Sequence, residues 1–241
     1  MMSTDKVFRF NCLLWGESGI GKTPYAATLA GCEQTAPCLL LDVDKGSMSV
    51  VDEPRPTVFE VTSWSQAEKV YSLMKAQKWE ELAKFLGTPN VLEYRSVVID
   101  SGTELEILLR KTVQTETGSE DIPEQRDYLK TQERFKPLYR KFRDLPGVSV
   151  VMIAGVRDIR EEISGIVKYY PAFTPGLVHD LVRMTDLVIY MDVKEEDKKW
   201  VRVIQTHPTR RIVARSRSPK LKQEYKGEKL YFKTLVEEML R

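Results

Sequence analysis

The octapeptide GESGIGKT, Gly16 to Thr23, follows directly on the apolar run FRFNCLLW, and nothing else in the chain restricts its fold as strongly. Gly16, Gly21, Lys22 and Thr23 satisfy the spacing G-x-x-x-x-G-K-[ST] of a phosphate-binding loop. The residue types follow from the chemistry. Glycines without a Cβ let the backbone turn left-handed and bring its N–H groups to phosphate oxygens. Every position from Gly16 through Glu17, Ser18, Gly19, Ile20 and Gly21 to Lys22 and Thr23 is therefore a candidate nucleotide contact. Lys22 is placed to reach the β- and γ-phosphates and Thr23 to ligate Mg²⁺, with the positive end of the following helix facing the anion. The motif needs a strand before it and a helix after it, and Phe8 to Trp15 reads as strand, Tyr25 to Ala30 as helix. ATP and Mg²⁺ are the cofactors this implies.

One neighbour departs from the usual pattern. The residue after the Thr normally offers its N–H to the α-phosphate, but here it is Pro24, which has none. Proline is sterically acceptable in a first helical turn, so the fold survives and the α-phosphate loses one donor.

The rest of the chain alternates. Strand-like runs lie at Val7 to Trp15, Pro37 to Val43, Thr57 to Thr62, Ser96 to Ile99, Val148 to Ala154, Leu187 to Val193 and Trp200 to Gln205, with helical segments at 23–31, 64–86, 104–116, 125–143 and 177–184. Continuous apolar strands separated by helices predict an α/β fold, a mostly parallel sheet covered on both faces with a C-terminal antiparallel extension. At 241 residues, 42% of them hydrophobic, the chain has enough apolar material for one sizeable core and reads as a single domain over 1–241. The segment 117–123, TGSEDIP, is the expected mobile loop.

Composition narrows the function classes. The apolar runs are too short to span a membrane, and MMSTDKVFRF lacks the layout of a signal peptide. Cys12, Cys32 and Cys38 have no metal-ligand spacing and read as buried thiols in a reducing compartment; His179 and His207 are too few for a histidine metal site. A cytoplasmic location is expected, that of the host cell if the chain is phage-encoded. With a formal charge of +2, any case for nucleic acid has to be local.

The second motif is YRSVVIDS, 94–101, an apolar strand ending in Asp100. An acid at the carboxyl end of a strand beside a phosphate loop can hold the water shell of Mg²⁺, the Walker B role. Ser101 follows it, where many AAA+ ATPases carry a catalytic Glu. The strand LLLDVDKG ends in Asp42, Asp44 and Gly46, and either supplies a water-activating acid or is an ordinary acidic turn.

These motifs together resemble small phage nucleotide-binding proteins with a RecA/RadA-like AAA-type ATPase core, the Sak-type single-strand annealing and recombination ATPases among them. The resemblance runs from the phosphate loop to about residue 217. It implies that Asp44 stands where the group has Glu in D-x-E-x-G, one methylene short, as the catalytic acid. It also implies a polar sensor after the strand VVMIA, here Arg157, and a hairpin turning at Ser164-Gly165 in the place of a DNA-contacting loop. On that hairpin Lys168, Tyr169 and Tyr170 either grip a single strand by charge and stacking or pack on the sheet.

From Arg202 to Lys222 there are seven basic residues and no acidic one. RIVARSR, 211–217, resembles the group's K-x-R segment, which implies that Arg215 and Arg217 act as a trans finger toward the nucleotide of a neighbouring subunit. Arg210 and Arg211 are candidate DNA contacts, and a solvated basic face is the plain alternative. The expected partners are single-stranded DNA, further copies in a ring or filament, and a phage single-strand-binding protein, with no membrane. The alternative is a nucleotide-dependent switch or motor subunit acting on a protein in phage replication or packaging.

Overall fold

The computed structural model describes residues 8–50, 54–119, 122–160 and 167–241. Its centre is a run of six parallel strands. β1 (Asn11–Trp15), β2 (Cys38–Asp42), β3 (Thr57–Glu60), β4 (Ser96–Asp100), β5 (Ser149–Ala154) and β8 (Leu187–Glu196) lie side by side in the order β3-β2-β4-β5-β1-β8. β5 thus separates the strand leading into the phosphate loop from the strand ending in Asp100. Beyond β8 the sheet turns antiparallel through β9 (Lys199–Gln205) and β11 (Glu224–Gly227), while the two-residue β10 (Arg215–Ser216) pairs with the start of β8. The expected C-terminal antiparallel extension is present. A separate hairpin, β6 (Val156–Arg160) and β7 (Val167–Pro171), leaves the end of β5.

Both faces of the sheet are covered because side chains alternate along each strand. Leu13, Trp15, Leu39, Leu41, Val97, Ile99, Val150 and Met152 face one core, shared with α2 (Trp64–Lys75), α3 (Trp79–Leu86), α4 (Gly102–Thr117), α5 (Gln125–Arg143) and α6 (Pro175–Met184). Cys12, Leu14, Leu40, Val98, Val151 and Ile153 face the other, against α1 (Lys22–Ala27) and α7 (Phe232–Leu240). Strands buried on both sides need continuous apolar sequence, and these have it. The three cysteines are buried and free.

Several boundaries differ from the sequence reading for identifiable reasons. The single helix expected over 64–86 is two, because Gln77 turns left-handed at φ 52° and Lys78 N–H donates to the Leu73 carbonyl instead of continuing the helix. The segment 117–123 was expected to be loose. In its described part the hydroxyls of Thr117 and Ser119 both donate to the Asp127 carboxylate, at 2.8 and 2.5 Å, so it is tied to the start of α5. The helix expected over 23–31 ends at Ala27 and continues as one 3-10 turn, Thr28–Gly31. The first strand begins at Asn11, with Val7 outside the described residues. α7 and β11 carry no strong periodic signal and were not expected.

Candidate nucleotide site

The carboxyl ends of β1, β2, β4 and β5 converge on one cleft of about 780 Å³. Its walls come from the phosphate loop (Ser18, Gly19, Gly21, Lys22, Thr23), the end of β2 (Asp44, Gly46), the end of β4 (Asp100, Ser101) and Gly155 after β5. Open α/β sheets bind ligands in just such a place, beyond the carboxyl ends of their strands.

The loop geometry depends on glycine at two points. Gly21 sits at φ 97°, a left-handed conformation that a side chain would strain. Gly16 is buried against the next strand, where a Cβ would come 2.3 Å from the Met191 carbonyl oxygen. The Lys22 ammonium donates to the carbonyls of Gly16 and Glu17, at 2.9 and 2.6 Å, folding back over the loop. Burial lowers its pKa, and Asp100, Asp44 and Glu17 pull the other way.

Thr23 and Asp100, 77 residues apart, meet directly: the hydroxyl donates to the carboxylate at 2.6 Å. Burial pushes Asp100 up to about 6, opposed by the Thr23 hydrogen bond, with Asp44 and Asp42 adding repulsion and Lys22 attraction. The Asp100–Ser101 peptide is cis. Beside it the Ser101 hydroxyl donates to Asp44 at 2.9 Å and accepts from the Glu104 N–H at 3.2 Å. Asp42 is held differently. Its carboxylate accepts from the N–H groups of Gly46 and Ser47 and shapes the turn that carries Asp44, which is itself exposed in the cleft.

An oxygen-only pair, hydroxyl and carboxylate, beside a phosphate loop suits Mg²⁺, which completes its octahedron with water and phosphate oxygens. Among the described residues no group of three or more His, Cys, Asp or Glu could hold a metal ion by itself.

A family model described as an AAA domain matches residues 9–218, which include every element of this cleft. The chain belongs to the AAA domain family. It is a nucleotide-binding ATPase of that family. No curated protein matches it. Among the described residues of this AAA domain no helix is long and apolar enough to cross a membrane.

Other candidate residues of the AAA domain lie apart from the cleft. Arg157, expected as a sensor, does not line the cleft: β6 has left the main sheet, and its side chain lines an apolar groove with Tyr170, Val178 and Val213. Arg215 donates to the carbonyls of Val182 and Arg183 at the end of α6, and Arg217 pairs with Asp186 at 2.8 Å. Both arginines are thus held at the far side of β8. Tyr169 and Tyr170 are half-buried and pack against the core, while Arg210 and Arg211 are exposed. The hairpin turn expected at Ser164-Gly165 lies outside the described residues.

Among the cleft residues that escaped the sequence reading are Glu104 and Arg202. Glu104 belongs to a Ser-x-x-Glu pattern that signals a helix start, and it also lines the cleft. Arg202 is one cation among seven in its segment, yet it reaches back from β9 to the phosphate loop, its Nε donating to the Ile20 carbonyl at 3.2 Å. Only the crossing of β9 over that loop distinguishes it from its neighbours.

Proposed function

We propose that this AAA domain is a Mg²⁺-dependent ATPase that works on single-stranded DNA, in the annealing or recombination reactions of a phage. In the cleft, Lys22 neutralises the β- and γ-phosphates, Thr23 and Asp100 would hold Mg²⁺, and Asp44 orients and deprotonates the attacking water. When bound, Mg²⁺ lowers the charge on the phosphate oxygens and so eases attack on phosphorus. Ser101 fixes the direction of the Asp44 carboxylate by donating to one of its oxygens.

The observation that carries the DNA reading is the union of two separate sequence features. The Tyr169 N–H donates to the Arg211 carbonyl at 2.8 Å, and Tyr169 bridges to Ile212, so the strand bearing Lys168 lies beside exposed Arg210 and Arg211. Exposed cations along one strand edge suit a nucleic-acid strand held by phosphate contact. This surface is one step from the cleft, since β6 begins directly after Gly155 and the Gly155 N–H donates to Thr103.

The test is the ATPase rate with and without single-stranded DNA, in the native chain and with Arg210 and Arg211 both changed to Ala. We expect stimulation that is salt-sensitive and lost in the double variant, with the DNA-free rate kept. No stimulation in the native chain would refute the DNA reading. The groove of about 520 Å³ between hairpin and α6, lined by Ile159, Tyr170, Val178 and Val182, favours the second reading, a nucleotide-dependent switch or motor subunit acting on a protein. A rate raised by a protein partner and indifferent to DNA would support it. Assembly into a ring or filament, with Arg215 and Arg217 turned toward a neighbour's nucleotide, belongs to the same proposal and requires them to leave their contacts on α6 and Asp186.

A further inference from the structure

A further, smaller groove of about 120 Å³ adjoins the cleft at the phosphate loop. Gly21, Pro24 and Arg202 line both it and the large cleft, and Tyr25, Thr28, Lys229, Leu230 and Tyr231 complete it. Its volume is well below that of a free-standing ligand site, about 300 Å³ or more. With three walls in common, it is an annex of the cleft.

The annex is a built feature of the fold. The Tyr25 and Phe232 rings stack at 4.5 Å, and the Phe232 N–H donates to the Thr28 hydroxyl at 2.9 Å, which seats the start of α7 on α1. The segment 228–231 is thereby fixed beside Pro24, with the Tyr231 ring half exposed. Arg202 joins the two spaces. Its Nε is bound to the Ile20 carbonyl and its Nη1 to the Glu228 carbonyl at 2.6 Å, while Nη2 comes within 3.4 Å of where a Cβ on Gly21 would stand. A guanidinium has five N–H donors, so two anchoring bonds leave donors for a ligand.

A nucleotide laid along the phosphate loop has its β- and γ-phosphates at Lys22 and its α-phosphate at residue 24, so its nucleoside leaves the loop on the Pro24 side. We infer that the nucleoside half of the bound nucleotide occupies this annex, its base against Tyr231 and its α-phosphate facing the Arg202 guanidinium. Arg202 then supplies the donor that Pro24 lacks. The inference rests on the nucleotide cleft assigned above and adds the residues that read the base end of the ligand.

Calorimetric titration of the full chain with Mg-ATP and with Mg-tripolyphosphate separates the two halves. The native chain is expected to bind both, ATP more tightly. Tyr231→Ala should weaken ATP at least about fivefold, the low end for loss of one aromatic stacking partner, and leave tripolyphosphate unchanged, while Tyr231→Phe binds both as the native chain does. Arg202→Gln should weaken both ligands, and adding Pro24→Ala, which restores an N–H, should recover part of the loss. Native ATP affinity in Tyr231→Ala, or an equal fall for both ligands, would overturn the base contact. No recovery on adding Pro24→Ala would overturn the α-phosphate role of Arg202. If the native chain bound neither ligand, the cleft assignment would fall and the annex with it; tripolyphosphate binding without any preference for ATP would sink the annex alone.

Discussion

Asp100→Asn should stabilise the nucleotide-free protein while impairing its Mg²⁺-dependent function. The carboxyl is buried beside Asp44 and Asp42, and its pKa is pushed from the ordinary 3.8 to about 6. The folded chain therefore holds this proton more tightly than the unfolded chain. Stability from this group is fully present below about pH 4 and is lost as pH rises through about 6. At about 1.4 kcal/mol per pH unit, the charged carboxylate costs about 3 kcal/mol at neutral pH. Asn has the same shape, carries no charge, and its carbonyl still accepts from Thr23. Urea unfolding without nucleotide or Mg²⁺ should then show a gain of about 1–3 kcal/mol near pH 7.5. Between about pH 5 and about pH 7.5 the native chain should lose about 1.4 kcal/mol through this group, a slope that the variant lacks. The same variant should bind Mg-ATP no better than ATP without metal. Equal or lower stability at both pH values, with the native pH slope retained, would refute the argument that Asp100 is held charged at a cost to the fold.

Lys22→Ala removes the cation facing the phosphates, and ATP titration should show at least about a hundredfold loss of affinity with the fold intact by circular dichroism. Asp44→Asn should bind ATP normally and slow steady-state turnover about a hundredfold, because the carboxylate acts on the water only in the transition state. Arg217→Ala should lose its ATPase while costing at most about 1 kcal/mol in unfolding, since the pair it breaks with Asp186 is exposed; mixing it with Asp44→Asn should restore part of the rate if the arginine acts across subunits, and no recovery would rule that out. Gly16→Ala forces a Cβ to 2.3 Å from the Met191 carbonyl, and thermal unfolding should show a loss of several kcal/mol.

What could be read from the sequence follows how locally each feature is encoded. The phosphate loop is eight consecutive residues, of which Ser18, Gly19, Gly21, Lys22 and Thr23 line the cleft. Asp100 was recognisable because a buried strand ending in an acid is also a local pattern. Asp44 was singled out over Asp42 only through the family resemblance; that the Asp42 carboxylate is taken up by the N–H groups of Gly46 and Ser47 is visible in the turn alone. Arg202 meets the loop across 182 residues, a pairing set by sheet order and by no periodicity. The break between α2 and α3 falls in KAQKW, which has neither Gly nor Pro, so local propensity argues for a continuous helix and the packing of Trp79 and Leu82 decides otherwise. The surroundings of Arg157 were hidden for a related reason, since where β6 peels away from the sheet determines which space its side chain enters.

The first turns of α4 have a consequence for how the two ends of the molecule communicate. The helix starts at Gly102, where even a methyl group would stand 2.6 Å from the Met152 sulfur and 3.0 Å from the Phe173 ring. One turn further on, the buried Glu106 carboxylate accepts from both the N–H and the hydroxyl of Thr174, where α6 begins. There is no slack at either point. Close-packed interiors have low compressibility and transmit strain, so a shift at Asp100 or Ser101 would strain the contacts with Phe173 and Thr174. The helix is thus braced at both points, its start against the sheet that carries Asp100 and its second turn against the head of α6.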